Sequence, residues 1–226
     1  IGFGGSQAKN TDFTGANLRD AYINHVRFDN AVLREADLSG ANFDSTRFTG
    51  ADLTSATYSA EIVFAWASFD PITKFPDGNT WLESNFFTND IKGMQLILDD
   101  HNVSGMDLSS RFSSLPSCSF SRMTAHGTSF QGCDLSQSSM WQLQAEDIDF
   151  SNAVLTDIPM DYSNIRRVNF GSAVLTGTGL KHCNMEDCNL VGADLSQAYF
   201  DDSTNMLGCT YDDTTLFPGA FDPLID

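Results

Sequence analysis

The sequence is poor in charged residues and, above all, in basic ones. Charged side chains make up 19% of the 226 residues, and 12 Lys and Arg stand against 30 Asp and Glu, for a formal net charge of −18. A typical globular chain is about 25% charged, and here Ser, Thr, Asn and Gly take the place of charged residues. A surface without a basic excess cannot release counterions from phosphates, which argues against direct binding of nucleic acid. A basic partner, or solubility alone, fits this charge better.

Features of membrane proteins and enzymes are also missing. No run approaches the roughly 18 apolar residues of a membrane span, which leaves only peripheral association open. No signal or transit peptide is visible, and since the chain begins at Ile1, it is either processed or incompletely represented. The GxSxG, HExxH, P-loop and dinucleotide motifs do not occur. Four scattered histidines predict neither a metal site nor a catalytic base. We therefore expect no catalysis and no cofactor.

What the sequence does contain is a five-residue period. From Thr11 to Ser59, every fifth residue is large and apolar, and the residue two positions earlier is short. These central residues are Phe13, Leu18, Ile23, Phe28, Leu33, Leu38, Phe43, Phe48, Leu53 and Tyr58. A second run keeps frame from Phe120 to Phe200, after which the period continues one residue late. A period of five matches neither a helix nor a flat strand, and it predicts a solenoid.

The repeated unit resembles that of the pentapeptide-repeat family, written A(D/N)LXX. Matching units are Ala16-Asn17-Leu18, Ala36-Asp37-Leu38, Ala41-Asn42-Phe43 and Ala51-Asp52-Leu53. The resemblance implies an all-β fold, a right-handed quadrilateral β-helix with four units, or about 20 residues, per coil. The central residue and the short one would then point inward, and the other three positions outward. A large residue that fills a narrow interior beside a short one at the corner agrees with close packing.

We predict two such arrays with an irregular connection: a first array at 1–76, the connection at 77–117 and a second array at 118–226. Residues 67–76 and 209–218 close them with the same order of short, aromatic, Asp, Thr, Phe and Pro residues. Both closing sequences resemble the tail that ends many cyanobacterial and chloroplast members of the family.

The connection is only partly regular. Leu98, Val103 and Leu108 keep the five-residue spacing and predict a degenerate coil. The stretch around Pro116 is interpreted as a loop, and a short helix is expected near 79–87.

The five cysteines match no zinc or redox spacing. Cys118, Cys133, Cys183 and Cys188 occupy the short inward position, and Cys209 does so in the shifted frame. We expect them to pack as small buried hydrophobes. A disulfide between Cys183 and Cys188 is the alternative, but neighbouring inward corners point into different parts of the coil.

Stacking the second array by 20 residues brings candidate site residues together. Aromatic and Arg side chains dominate interface energetics, so a wall that presents them predicts a partner-binding surface. That surface comprises Trp141, Asp161, Tyr162, Arg166, Arg167 and Lys181. In the alternative interpretation, Trp141 packs on its neighbours or on the loop before residue 118. Val154 and Val174 predict a partly dry strip on an adjoining side.

These patterns favour a non-enzymatic scaffold that docks through a solenoid wall to a larger protein assembly. The resemblance of both array ends implies a photosynthetic cell, with a thylakoid complex as the partner. The implied compartment is the chloroplast thylakoid lumen or a cyanobacterial one, with the cytoplasm as the alternative. The alternative function is a DNA mimic that binds a type II topoisomerase (gyrase), as some members of the family do. The charge favours it, while Pro218 and Pro223 argue against the C-terminal helix of such proteins.

Overall fold

Each five-residue unit folds into a short extended piece followed by a tight turn. The carbonyl of Phe13 accepts the N–H of Ala16 at 2.9 Å, and Gly15 between them has a φ of 68°. A positive φ at the third residue defines a type II turn, which favours Gly or Asn at that corner. The same corner recurs along the chain, because Asn, Asp, Ser and Gly at this position tolerate the left-handed backbone.

The computed structural model describes residues 4–59, 62, 64, 67–70, 72–79, 95–110 and 112–219. The chain divides into two compact units, Ile1–Ile97 and Leu98–Asp226. Apart from Asn79, the helix predicted near 79–87 lies outside the described residues, as does Pro223. The division into 1–76, 77–117 and 118–226 stays a prediction.

Successive coils pair in parallel, so side chains about one coil apart lie above one another. The first unit contains strands β1 (Ser68–Phe69) and β2 (Gln95–Leu96), which form a parallel pair. The second contains β3 (Thr124–His126), β4 (Gln144–Glu146), β5 (Asn164–Arg166) and β6 (Asn184–Glu186). These four strands form one parallel sheet in chain order, and the described residues contain strands and bridges but no helix. The predicted all-β, right-handed β-helix is confirmed.

The central residues fill the interior of each unit. In the first unit the rings of Phe28, Phe48 and Phe69 stack with centroids 5.4 and 5.1 Å apart. In the second unit Phe130 and Phe150 do the same at 5.2 Å. Each fully buried Phe stabilises the fold by about 1.5–3 kcal/mol, so the apolar column is the main source of stability.

Tyr58 departs from the predicted inward column, since 46% of it is exposed. The preceding coil is in register here, because the Leu38 N–H donates to the Thr57 carbonyl at 2.8 Å. Among the described residues, however, no bridge continues from Thr57 to a later coil. The Tyr58 ring is therefore only partly covered.

Asp-x-x-Thr turns explain the slips in the period. At Asp70–Thr73 the Thr73 N–H donates to Asp70 Oδ1 at 3.0 Å, and the Thr73 hydroxyl reaches the carbonyl of Phe48 at 2.8 Å. The hydroxyls of Thr204 and Thr215 donate in the same way to carbonyls of the preceding coil, both at 2.9 Å.

Each Asp-x-x-Thr turn holds one residue more than an ordinary unit. Bridge partners are Gly179 and Tyr199 before the turn at Asp201–Thr204, and Asn184 and Asn205 after it. The late frame of the residues after Phe200 follows directly from this extra residue.

Regular coil also runs through part of the predicted connection. Leu98, Val103 and Leu108 are fully buried, as their spacing predicted. Asn102 pairs with Thr124 but Ser114 pairs with Asp134, so the extra residues lie before Ser114. The break in register thus lies between Asp107 and Ser114, within the stretch before Pro116 that was predicted to break it, and regular pairing resumes before Pro116.

Inward polar residues satisfy the backbone at the corners. The Ser163 hydroxyl accepts the N–H of Leu143 at 2.9 Å and reaches the carbonyl of Met140 at 3.3 Å. Ser138 makes the same pair of bonds to the turn one coil before it, each at 3.0 Å. Since buried backbone groups are nearly always paired, a hydroxyl at this position substitutes for the direct bond across the turn.

The cysteines follow the same rule. All five are present as thiols; Cys118, Cys133, Cys183 and Cys188 are buried and Cys209 is half-buried. The Cys183 thiol donates to the Met160 carbonyl at 3.1 Å. The expectation of small buried side chains is confirmed, and the alternative disulfide between Cys183 and Cys188 is wrong.

Candidate interaction surface

Three aromatic side chains form a ladder on one corner of the second unit. Trp141 and Tyr162 meet edge to face with centroids 6.2 Å apart, and Tyr162 stacks on His182 at 4.7 Å with the planes 17° apart. We call Trp141, Tyr162 and His182 the aromatic corner. Trp141 is 38% exposed and Tyr162 is 53% exposed. Trp141 therefore packs on its neighbour, as one interpretation predicted, and still presents ring surface to solvent.

The backbone fixes the spacing of this ladder. The Gln142 N–H donates to the Asp161 carbonyl at 3.1 Å, and the Tyr162 N–H donates to the Lys181 carbonyl at 2.9 Å. The rings are thus mounted on paired turns rather than on a loop, which limits the entropy that a partner would have to remove.

Tyr162 occupies a backbone conformation that its side chain does not favour. Its φ is 61°, in the left-handed region, and Gln142 and His182 have φ values of 55° and 56° at the same corner of their coils. A bulky residue in this region is an outlier that costs about 1–2 kcal/mol relative to the helical or extended backbone. Other corners of the second unit also carry long side chains at a positive φ, such as Arg122 at 56° and Arg167 at 50°.

His182 is held from the other side by Asp201. The His182 N–H donates to Asp201 Oδ1 at 3.0 Å, and its Nε2 lies 3.2 Å from Asp201 Oδ2. The bond from the His182 N–H is the main reason that the pKa of Asp201 lies below its ordinary value. Asp201 therefore orients the imidazole on which the Tyr162 ring stacks.

Asp161 and Lys181 flank the aromatic corner. Asp161 Oδ1 accepts the Lys181 N–H at 2.9 Å, so Asp161 caps the next turn. The Lys181 ammonium lies 5.9 Å from the ring centroid of Tyr199, at the outer limit of a cation–π contact, and Tyr199 is 58% exposed. Within the described residues the Lys181 ammonium makes no ion pair.

Arg166 and Arg167 lie one side further round, at the ends of the sheet strands. Arg167 donates from Nε and Nη2 to Asp147 at 2.7 and 2.9 Å, and from Nη2 to Glu146 at 2.6 Å. These bonds hold the pKa values of Glu146 and Asp147 below their ordinary range and raise that of Arg167. Arg166 pairs with Glu186 at 3.1 Å. Both predicted Arg residues are therefore engaged in ion pairs within the wall.

A shallow polar groove of about 310 Å³ runs along the same sheet. Its lining residues are Thr124, His126, Gln144, Ala145, Glu146, Asn164 and Arg166. On a third side Val154 and Val174 form a parallel bridge and are half-buried, in agreement with the predicted strip. The groove is open, so it excludes little water from the groups that line it.

The described part of the chain offers little for chemistry. It contains no group of His, Cys, Asp or Glu side chains placed to bind a metal ion. No helix long and apolar enough to cross a membrane occurs in it. Burial raises the pKa of Cys133 to about 11 and that of Cys183 to about 12, which leaves these thiols protonated and unreactive near neutral pH.

Of the six predicted site residues, the structure brings four together at or beside the aromatic corner and places Arg166 and Arg167 on the adjoining wall. It adds His182 and Tyr199, which were not predicted. His182 could have been predicted, because it lies 20 residues after Tyr162 and therefore in the same column. Tyr199 lies on the neighbouring side, so stacking within one column could not find it.

Comparisons with known proteins agree with this architecture. The family model described as pentapeptide repeats matches in eight copies, over residues 3–34, 23–57, 111–142 and 163–202. These segments cover more than half of the chain. A comparison with curated proteins found no significant match.

Several solved structures are similar. One is a pentapeptide repeat protein from the Arabidopsis thaliana thylakoid lumen, with 24% identity, a TM-score of 0.42, and coverage of 45% of this chain and 69% of that one. A second is HetL, involved in heterocyst differentiation regulation in the cyanobacterium Nostoc sp. strain PCC 7120, with 19% identity, a TM-score of 0.34, and coverage of 92% and 84%. A third is QnrB1, a plasmid-mediated fluoroquinolone resistance protein, with 14% identity, a TM-score of 0.23, and coverage of 94% of both chains.

Proposed function

Since this chain belongs to the pentapeptide-repeat family, we propose that it is a non-enzymatic interaction scaffold, which docks to a larger protein assembly through the aromatic corner of its second unit. Stacked coils give long flat walls that suit docking better than catalysis. The groove described on the second unit is shallow and open, and the thiols of Cys133 and Cys183 are buried and protonated.

The observation that carries this proposal is the exposed ring of Tyr162 at a strained corner. Folding alone favours Gly or Asn at a φ of 61°, yet a tyrosine stands there, 53% exposed, between Trp141 and His182. Rigid aromatic side chains supply large contact areas at a low entropic cost, and they are enriched where interfaces gain most of their energy. A binding role accounts for a residue that the turn itself disfavours.

The surroundings of the corner define the partner in chemical terms. Lys181 stands beside the rings without an ion pair among the described residues, while Asp161 and Asp201 are engaged by backbone N–H groups. A partner protein with an apolar pocket for the rings and an acidic group for Lys181 fits this surface. The photosynthetic setting stays a prediction from the closing sequences.

The proposal is tested by pull-down with the full chain from an extract of its native source, followed by quantitative mass spectrometry. Removing two interface anchors, with Trp141→Ser combined with Tyr162→Ser, should lower partner recovery by about 30-fold or more, the factor that 2 kcal/mol represents. Tyr22→Ser serves as a matched control, because Tyr22 is 66% exposed but lies in the first unit. Circular dichroism should be the same for all three proteins.

A second variant separates binding from folding. Tyr162→Asn places a residue at the corner that tolerates a positive φ, so the fold should be at least as stable while partner recovery falls. Retained recovery with the double variant, or an equal loss with Tyr22→Ser, would remove the aromatic corner from consideration.

The charge of −18 favours one other function, a DNA mimic that binds a type II topoisomerase such as gyrase. Many of the carboxylates already cap turns, as Asp37 Oδ1 does by accepting the Ser39 N–H at 3.0 Å. The uncharged amide of Asn42 caps its own turn in the same way, by accepting the Asp44 N–H. Salt-sensitive inhibition of gyrase supercoiling at low micromolar protein would favour the mimic over the scaffold. We expect no inhibition.

A further inference from the structure

Two cysteines of the second unit lie one above the other in successive coils. Asn189 and Thr210 form a parallel bridge, and the Thr210 N–H donates to the Cys188 carbonyl at 2.9 Å. Cys188 and Cys209 are the residues before the two bridge partners, and both fill the short inward position. Neighbouring strands are about 4.8 Å apart, which lies within the range of about 4.4–6.8 Å between the Cα atoms of a disulfide.

The two thiols have different surroundings. Cys188 is fully buried and its thiol donates to the Ile165 carbonyl at 3.5 Å. Cys209 is half-buried and its thiol donates to the Met185 carbonyl at 3.3 Å. The neighbouring Cys188 thiol is the main reason that the pKa of Cys209 lies below its ordinary value, and the Cys209 thiol together with burial raises the pKa of Cys188. The accessible thiol is therefore also the one that ionises more easily.

Within the described part of the chain, the other three cysteines are stacked with residues other than cysteine. Register places Cys183 above Thr204, and it places Cys133 above Ala153. Cys118 is stacked with Ser138, whose hydroxyl accepts the Cys118 N–H at 3.0 Å. Among the described residues the coil register therefore selects a single pair.

We propose that Cys188 and Cys209 form a modification site, a dithiol that low-molecular-weight disulfides such as oxidised glutathione convert into an intramolecular disulfide. The Cys209 thiolate attacks one sulfur of glutathione disulfide, forming a mixed disulfide and releasing one glutathione thiolate. Cys188 then loses its proton and attacks Cys209 Sγ, which releases the second glutathione. Two protein thiols are oxidised and one external disulfide is reduced to two thiols. The new bond joins two successive coils.

The linkage can be mapped in the full native chain. The protein is incubated with oxidised glutathione, its remaining thiols are alkylated, and it is digested with trypsin and a protease that cleaves after Asp and Glu. Cleavage after Asp187, Asp194, Asp202 and Asp212 puts the two cysteines on separate peptides, and cleavage after Glu186 separates Cys183 from both. We expect one disulfide-linked pair of peptides carrying Cys188 and Cys209, which dithiothreitol abolishes.

Two variants assign the roles, with Cys183→Ser as a matched control that keeps the linkage. Cys188→Ser should leave glutathione on Cys209, since no resolving thiol remains. Cys209→Ser should leave Cys188 unmodified. Serine already fills the equivalent corner at Ser138 and Ser163, so the fold should tolerate the change. A native protein that accumulates only the mixed disulfide, or a linkage that includes Cys183, overturns the proposal.

Discussion

The buried hydroxyl of Ser163 offers a sharp test of how the coils hold together. Ser163 is 2% exposed, and its oxygen bridges the N–H of Leu143 and the carbonyl of Met140 across the turn that carries Trp141. Ser163→Ala removes this oxygen and leaves the rest of the side chain in place. Two buried backbone groups then lose their hydrogen-bond partner.

The expected loss of stability lies between two limits. An unsatisfied buried group costs about 1–3 kcal/mol, so a turn that stays open would lose about 2–6 kcal/mol. If the turn closes, the Leu143 N–H donates directly to the Met140 carbonyl, as the Thr178 N–H does to Leu175 at 3.2 Å. One bond of the two is then recovered, and the loss falls to about 1 kcal/mol. We expect partial closure and a loss of about 2 kcal/mol.

Urea unfolding of the full chain, followed by circular dichroism, measures this loss. With a denaturant slope of about 2–3 kcal/mol per molar urea, a loss of 2 kcal/mol lowers the midpoint by about 0.7–1 M. Ser151→Ala is the control, because Ser151 is 8% exposed and its hydroxyl makes no hydrogen bond with the described residues. Ser163→Thr keeps the hydroxyl and should lie close to the wild type. Equal midpoints for Ser163→Ala and Ser151→Ala would refute the role given to the hydroxyl.

Two further predictions concern charge and pH. In the first unit Asp29 is 8% exposed and accepts hydrogen bonds from Arg47 at 2.6 and 2.7 Å. Asp29→Asn should therefore lower the free energy of unfolding, measured by thermal denaturation, by about 1–2 kcal/mol. The control variant Asp44→Asn should not lower it. In the second unit burial raises the pKa of Cys183 to about 12, whereas the unfolded thiol has a pKa of about 8.5. Between these two values only the unfolded thiol ionises. The contribution of Cys183 to the free energy of unfolding is therefore fully present below pH 8.5 and is lost as the pH rises toward 12. Chemical denaturation across this range should show a slope of about 1.4 kcal/mol per pH unit from this thiol, and Cys183→Ser should remove it; a profile that the variant leaves unchanged contradicts the assignment.

The regular part of the fold was readable from the sequence because the interior is narrow. A coil with one large residue per side leaves no choice of direction for that residue, so Phe28, Phe48 and Leu53 had to point inward. The five-residue period no longer predicts the direction of a side chain where a local interaction replaces the regular turn. The turn at Asp201–Thr204 shifts the frame because its Thr hydroxyl fills the corner from one residue further along.

The candidate site was predictable only in part, because stacking by 20 residues gives columns but not contacts between columns. It found the Trp141 and Tyr162 neighbourhood. It places Arg167 over Asp147 in one column, but it could not show the bond from Arg167 to Glu146, because long side chains reach across to neighbouring columns. The positive φ at Tyr162 follows from the corner position itself, and it could have been expected from the turn type.

The interior and the proposed docking surface are formed by neighbouring residues of the chain. Ser163 follows Tyr162 directly, and its hydroxyl holds open the turn from which Trp141 projects. The corner backbone between them is fixed by the bond from the Gln142 N–H to the Asp161 carbonyl at 3.1 Å. Because inward and outward positions alternate so closely, a buried serine sets the angle at which the exposed rings are presented. Variation at outward corners leaves the interior intact, whereas a change at Ser163 acts on both the stability of the coil and the placement of the aromatic corner.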